Sequence, residues 1–308
     1  MNVVQVPYEL DDPQYRPWWL NWRRGRVCST DTVRLAGVGY RDYGGPFAAW
    51  VEKTGRLVTD KPPTEEQDTG NYLEPHILTL CERRFGVKFR TRQCLITHPQ
   101  HDWIGASLDC VTWEEDVWEL KSVSNPREMM ALDPDGDPES LPERITVQVH
   151  HQMIASEKDH ITVACLVGNR LLKFVVYRNE ALVDVLSVLI SEFWDCVINR
   201  VPPEDFSPGD AAILARSFTG DSGATAFLSG KDADAVSDYV RLGEEMRDLK
   251  NARDVAKARI LLSLGDARKG ELADGRKISK SVVNIDEREV HRNAYTTTRI
   301  YVKKPSFF

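Results

Sequence analysis

The sequence predicts a mixed α/β (α+β) fold: a central mixed β-sheet flanked by helices, followed by a helical and β C-terminal extension. Three observations predict it. Strand-like runs gather in residues 87–121, where Phe89, Cys94, Leu95 and Ile96 lead to Ile104-Gly105-Ala106-Ser107-Leu108-Asp109-Cys110-Val111 and then to Val117-Trp118-Glu119-Leu120-Lys121-Ser122. Just before them, Leu73, Ile77, Leu80 and Cys81 form one apolar stripe, closed by Gly86. After them, a hairpin at 161–167 and 171–177 runs into a further helix at 180–197. Interleaved helices and strands of this kind form layers around one core. The expected division is a catalytic-type domain at 1–208 and an extension at 209–308.

Taken in order, residues 1–30 read as an irregular arm leading to a helix near 30–35, for which Ser29, Thr30 and Asp31 are candidate N-caps. Residues 46–53 form a short helix with Pro46 in its first turn and Gly55 as its stop. A polar, proline-containing loop covers 60–69, and the amphipathic helix follows at 70–85. The two runs around Glu114-Glu115-Asp116 are two strands joined by a turn. A loop rich in Asp, Pro and Gly covers 132–142, and 145–156 is helical. Gly168-Asn169-Arg170 suits the turn of the next hairpin. The helix at 180–197 ends near Val201-Pro202-Pro203. In the tail, Tyr239, Leu242, Met246, Leu249, Ala256 and Ile260 follow 3-4 spacing interrupted by Arg253, a long helix with an apolar seam. That seam reads as half of an intramolecular helical hairpin in preference to a coiled-coil dimer. Beyond 265–275 the chain is β-like again at 282–285 and 298–302.

Composition bounds the class. At 308 residues, 42% hydrophobic and 28% charged, the chain can bury a sizeable core. No apolar run approaches a membrane span and the N-terminus lacks a signal-peptide pattern, so a cytoplasmic location is the default expectation. The 6 cysteines are scattered without a C-x-x-C pair, which argues against zinc ribbons and iron–sulfur clusters and fits reduced, mostly buried thiols. There is no P-loop, no G-x-S-x-G and no H-E-x-x-H. The net charge of −7 does not favour a nucleic-acid partner globally. Locally, however, Arg16, Arg23, Arg24, Arg26, Arg34 and Arg41 face only Asp31 and interleave with Trp18, Trp19 and Trp22. Such tryptophans stack on bases or pack in the core.

Chemistry concentrates at Asp109, Glu119 and Lys121. Glu119 and Lys121 lie two apart on a strand and share a face, and Asp109 can meet them from the adjoining strand. Two carboxylates suit a hard octahedral cation, and the ammonium can orient or deprotonate a water and offset phosphate charge. On its own this pattern also describes a solvated strand edge. Three features join it. Glu74 falls in the first turn of the expected helix at 70–85, where it reaches a metal directly or through water, or simply complements the helix dipole. Gln148 and Gln152 share a helix face and suit an attacking water or a phosphate. Trp22-Arg23-Arg24-Gly25 with Ser29-Thr30-Asp31 places a guanidinium and hydroxyls near a helix N-terminus, suited to a terminal phosphate. His150 and His151 point to different helix faces and read as packing or surface groups. Trp118 alternates away from Glu119 into the core.

The order of these motifs resembles the lambda-exonuclease/YqaJ-type viral recombinase nucleases of the PD-(D/E)xK superfamily. The resemblance covers roughly 17–205. It rests on Trp22-Arg23-Arg24-Gly25 with Ser29-Thr30-Asp31, on Glu52-Lys53-Thr54-Gly55, and on Gly70-Asn71-Tyr72-Leu73-Glu74-Pro75. It continues through Ala106-Ser107-Leu108-Asp109, Glu119-Leu120-Lys121 and Gln148-Val149-His150-His151-Gln152-Met153. The family's Pro-Asp-Gly is Leu108-Asp109-Cys110 here. The resemblance implies a restriction-endonuclease-like core and a Mg²⁺-dependent DNA exonuclease, with Mn²⁺ as substitute, acting 5′→3′ on duplex ends in phage-type recombination. It implies Asp109, Glu119 and the Leu120 carbonyl as metal ligands, Glu74 near the metal, Lys121 and Gln148 as catalytic groups, and Arg23, Arg24, Thr30 and Gln152 on DNA or a 5′-phosphate. A trimeric homo-oligomer and a single-strand annealing protein are the implied assembly and partner. The competing expectations are a structure-specific endonuclease and a non-catalytic DNA-end-binding scaffold.

Overall fold

Residues 2–4, 6, 12–39, 44–56, 64–217, 223, 225–228 and 230–280 are described by the computed structural model. The chain divides into two compact units, residues 1–218 and 219–308. The expected strands at 282–285 and 298–302 lie outside the described residues.

The first unit is built on one mixed six-stranded sheet. Its strands are β1 (Asn2–Val4), β2 (Phe89–Thr97), β3 (Gly105–Thr112), β4 (Val117–Val123), β5 (His160–Val167) and β6 (Arg170–Tyr177), ordered as in the sequence. All neighbours are antiparallel except β4 and β5, which run parallel. A parallel pair needs a crossover. Here it contains the helices α5 (Pro126–Ala131) and α6 (Glu143–Ser156), once α1 (Tyr15–Arg24), α2 (Ser29–Leu35), α3 (Pro46–Thr54) and α4 (Glu65–Phe85) have preceded the central strands. Helices α7 (Glu180–Ile198) and α8 (Asp210–Ser217) complete the unit.

Side chains of β4 alternate between two cores, as a strand buried on both faces must. Trp118 and Leu120 join Ile77, Leu78 and Cys81 of α4. Val117 and Val123 join Val149 and Met153 of α6, Phe47 and Trp50 of α3 and Ile190 of α7. The expected stripe of α4 is corrected at one position: Leu80 is exposed and Leu78 takes its place. Helix α8 belongs to the first unit, although the sequence-based boundary falls just before it. Buried Asp210 accepts the backbone N–H groups of Gly45 and Ala48 at 3.0 and 2.9 Å, which satisfies free donors at the start of α3.

Three local expectations differ from the structure. The N-terminal arm contains α1, whose Pro17 sits in the first turn where a missing N–H is tolerated. Helix α4 starts at Glu65, not at 70, because Thr64 and Gln67 form a reciprocal capping box, and Gly70 lies inside the helix. Helix α2 is entered from Cys28, whose N–H is accepted by Asp31 at 2.8 Å, so none of Ser29, Thr30 and Asp31 is the N-cap.

The second unit contains α9 (Lys231–Leu264), 34 residues with none buried, and a hairpin of β7 (Lys269–Glu271) and β8 (Lys277–Ser279). The seam residues Tyr239, Leu242, Met246, Leu249 and Ile260 are exposed. The expected helical hairpin is not formed among the described residues, where no second helix follows α9 in this unit. No helix among them is long and apolar enough to cross a membrane.

Candidate active site

Strands β3 and β4 pair at only two positions, Cys110 with Trp118 and Val111 with Val117, and then part. Asp109 closes the opening: its Oδ2 accepts the Leu120 N–H at 2.7 Å. Across the gap stands Glu119, 1% exposed. Its Oε1 accepts the Gln148 amide at 2.5 Å and its Oε2 the Gln152 amide at 2.6 Å, both from α6. The Lys121 ammonium, on the same face of β4, pairs with Glu119 Oε1. The turn spacing of Gln148 and Gln152 thus grips one carboxylate with two neutral donors. Gln152 is fully buried, so its expected contact with DNA is corrected to a contact with Glu119.

Glu74 joins this group electrostatically. Burial, then the neighbouring Glu119, pushes its carboxyl upward, against the hydrogen bond from Gln93. Asp109 is raised well above its ordinary value by burial and by the charges of Glu119 and Glu74. Burial opposes the Lys121 charge, yet Glu119 and Asp109 hold it above the usual lysine value. Carboxylates crowded this way repel one another and attract a cation. Glu74 lies well inside α4 and not in a first turn, so the helix-dipole reading of it does not apply.

A second cluster surrounds the C-terminal end of α1. Arg23 stacks over the Trp19 ring, 4.6 Å from its centroid, and its Nη2 donates to Thr30 Oγ1 at 2.5 Å. Asp31 lies beneath, fully buried, with Lys53 Nζ at 2.6 Å and Arg23 and Arg34 at 3.8 and 3.9 Å. Despite burial, these cations lower Asp31 to about 2. Lys53 also donates to the Arg23 carbonyl at 2.8 Å, which ties α3 to α1. Arg24 and Thr30 are exposed.

The structure therefore groups Asp109, Glu119, Lys121, Gln148, Gln152 and Glu74, and separately Arg23, Thr30 and Asp31. The sequence does not single out Lys53, Gln93 and Tyr15, which the structure places against Asp31, Glu74 and Gln93 respectively. For Lys53 a signal existed, since it lies in the motif Glu52-Lys53-Thr54-Gly55. Gln93 and Tyr15 have no local signature. His151 is structural: with Nε2 donating to the Gly105 carbonyl at 2.9 Å, Nδ1 accepts the Thr32 hydroxyl at 2.7 Å, a neutral ring. Among the described residues, no three His, Cys, Asp or Glu side chains form a ready-made metal cage. The donor chemistry still fits a hard divalent ion, because Glu119 is near enough to Asp109 and Glu74 to raise both their carboxyls, and carboxylate oxygens are the donors such an ion takes.

The sheet and its flanking helices resemble the fold of a solved alkaline exonuclease. The crystal structure of LHK-Exo in complex with dAMP, an alkaline exonuclease from Laribacter hongkongensis, matches with a TM-score of 0.50 at 17% identity, covering 66% of this chain and 98% of that one. Residues 18–159 match the family model of the YqaJ-like viral recombinase domain, the family whose motif order the sequence resembles. The protein YqaJ of Bacillus subtilis (strain 168) is 24% identical over 306 residues, 95% of this chain and 92% of its own length.

Proposed function

We propose that this protein is a divalent-metal-dependent deoxyribonuclease that degrades duplex DNA from its ends, 5′→3′, in a recombination system. The observation that carries the reading is the charge-crowded group of Asp109, Glu119 and Glu74 with Lys121 at the parted β3–β4 hairpin. The family match to a viral recombinase domain supports DNA as substrate.

Asp109 and Glu119 would hold Mg²⁺ or Mn²⁺, with Glu74 directly or through water. The Leu120 carbonyl would join them, since the N–H and C=O of one extended residue point to the same strand edge and its N–H faces Asp109. Such an ion, when bound, polarises a phosphate and lowers the pKa of a water. Lys121, held as an ammonium, orients the nucleophile and offsets phosphate charge. Gln148 and Gln152 keep Glu119 in one orientation. Arg23, braced by Trp19 and Thr30 and tied through its carbonyl to Lys53, grips the 5′-phosphate, and Arg24 contributes charge at the surface. A trimeric ring and a single-strand annealing partner complete the proposal; an annular assembly tolerates an acidic exterior, because only its channel need be basic.

The test is loss of end-labelled linear duplex with Mg²⁺ and a covalently closed circle as control. Linear DNA should disappear and the circle persist. Cutting of the circle would establish an endonuclease, and binding without cutting a scaffold. Lys121→Ala should abolish turnover with DNA affinity retained; turnover at the parental rate would sink the assignment.

A further inference from the structure

We propose that Gln93, locked by Tyr15, is the positioning residue for Glu74, which makes helix α1 part of the metal site. This inference rests on the nuclease reading above. Gln93 sits on β2 between the pairs Arg92–Cys110 and Cys94–Leu108, directly across the ladder from Asp109. Its φ is 46°, the left-handed region that a side chain other than glycine adopts only under strain. Strained backbone persists where surrounding contacts over-determine it, and it concentrates at functional sites.

The contacts say what the strain secures. Gln93 Nε2 donates to Glu74 Oε1 at 2.9 Å, and Gln93 Oε1 accepts the Tyr15 hydroxyl at 3.3 Å. A carboxylate accepts only, so the amide has one consistent orientation: nitrogen toward Glu74, oxygen toward the phenol. Glu74 has reason to need holding, because Glu119 repels it. Tyr15 opens α1, whose positions one and two turns later are Trp19 and Arg23. Trp19 Nε1 donates to Ser107 Oγ at 3.2 Å, and Arg23 meets Thr30. One stripe of α1 therefore touches Gln93 beside the carboxylates at one end and the proposed phosphate grip at the other, a span of about 12 Å.

The test separates positioning from fold. Gln93→Gly removes the amide and relieves the left-handed backbone. The thermal midpoint should hold or rise, while Mn²⁺ affinity by calorimetry falls about 10-fold or more, the usual effect of losing a group that orients a ligand. In the parental protein kcat should exceed that of the variant with KM for DNA unchanged. Tyr15→Phe should lose Mn²⁺ affinity in the same direction by a smaller factor. Unchanged Mn²⁺ affinity in Gln93→Gly overturns the positioning role alone. A parental protein that takes up no Mn²⁺ overturns the nuclease reading, and the positioning role with it.

Discussion

Asp31 shows how a single carboxylate holds several elements. Its two oxygens face Lys53, Arg23 and Arg34, and its Oδ2 also accepts the Cys28 N–H at the start of helix α2. Asp31→Asn leaves Lys53 buried without a counter-charge and should cost about 3–5 kcal/mol, read by urea unfolding. Asp31→Asn combined with Lys53→Met should recover much of that loss. Acid should act through the same residue. Its folded pKa of about 2 lies below the ordinary aspartate value of 3.8, so the stabilisation is full above that value and is lost as pH falls toward 2, about 2 kcal/mol in all. His151 has the same sign in a higher window. Burial lowers it from 6.5 to about 4, so stability falls by about 3 kcal/mol as pH drops between those values. Asp109 and Glu74 are raised, and an ion held at the proposed metal site would bind their ionised forms. Mn²⁺ affinity should therefore keep rising with pH beyond the ordinary carboxylate range, measurable by calorimetry across a pH series.

Among the elements, α1 depends on a close approach to β3. A Cβ at Gly105 would meet the Trp22 ring at 2.6 Å and Arg26 at 2.8 Å. Gly105→Ala should displace α1, destabilise by about 1–3 kcal/mol and weaken discrimination for 5′-phosphorylated ends, compared on phosphorylated and hydroxyl-ended duplex. This helix is also where the sequence was least legible. Its Trp and Arg density and Pro17 resemble an irregular arm, and what orders it, namely Gly105, Ser107 and Lys53, lies far along the chain. Asp109, Glu119 and Lys121 were legible because strand alternation and one tight turn bring them together locally. Gln148 was legible by helical period, whereas the burial of Gln152 was not, since period gives a face but not what stands opposite it. The start of α4 falls earlier than the sequence suggests, because Gly70 reads as a boundary while the Thr64 and Gln67 capping box sets the true one. Thr64→Ala should lower stability by about 1 kcal/mol in thermal unfolding.

For the whole molecule, the two units have different characters. The first buries apolar groups on both faces of its sheet and closes through Asp210, so residues 1–218 should fold alone with a cooperative transition and retain metal-dependent cutting of linear duplex. The second presents an apolar seam on a helix of 34 residues.

The parted β3–β4 hairpin offers a built-in reporter. The Leu120 amide proton is shielded by a carboxylate where a neighbouring strand would ordinarily shield it. Its exchange with deuterium should therefore track the protonation and occupancy of Asp109 while the amides of β5 stay silent, so the site's state can be followed in the resting protein without DNA.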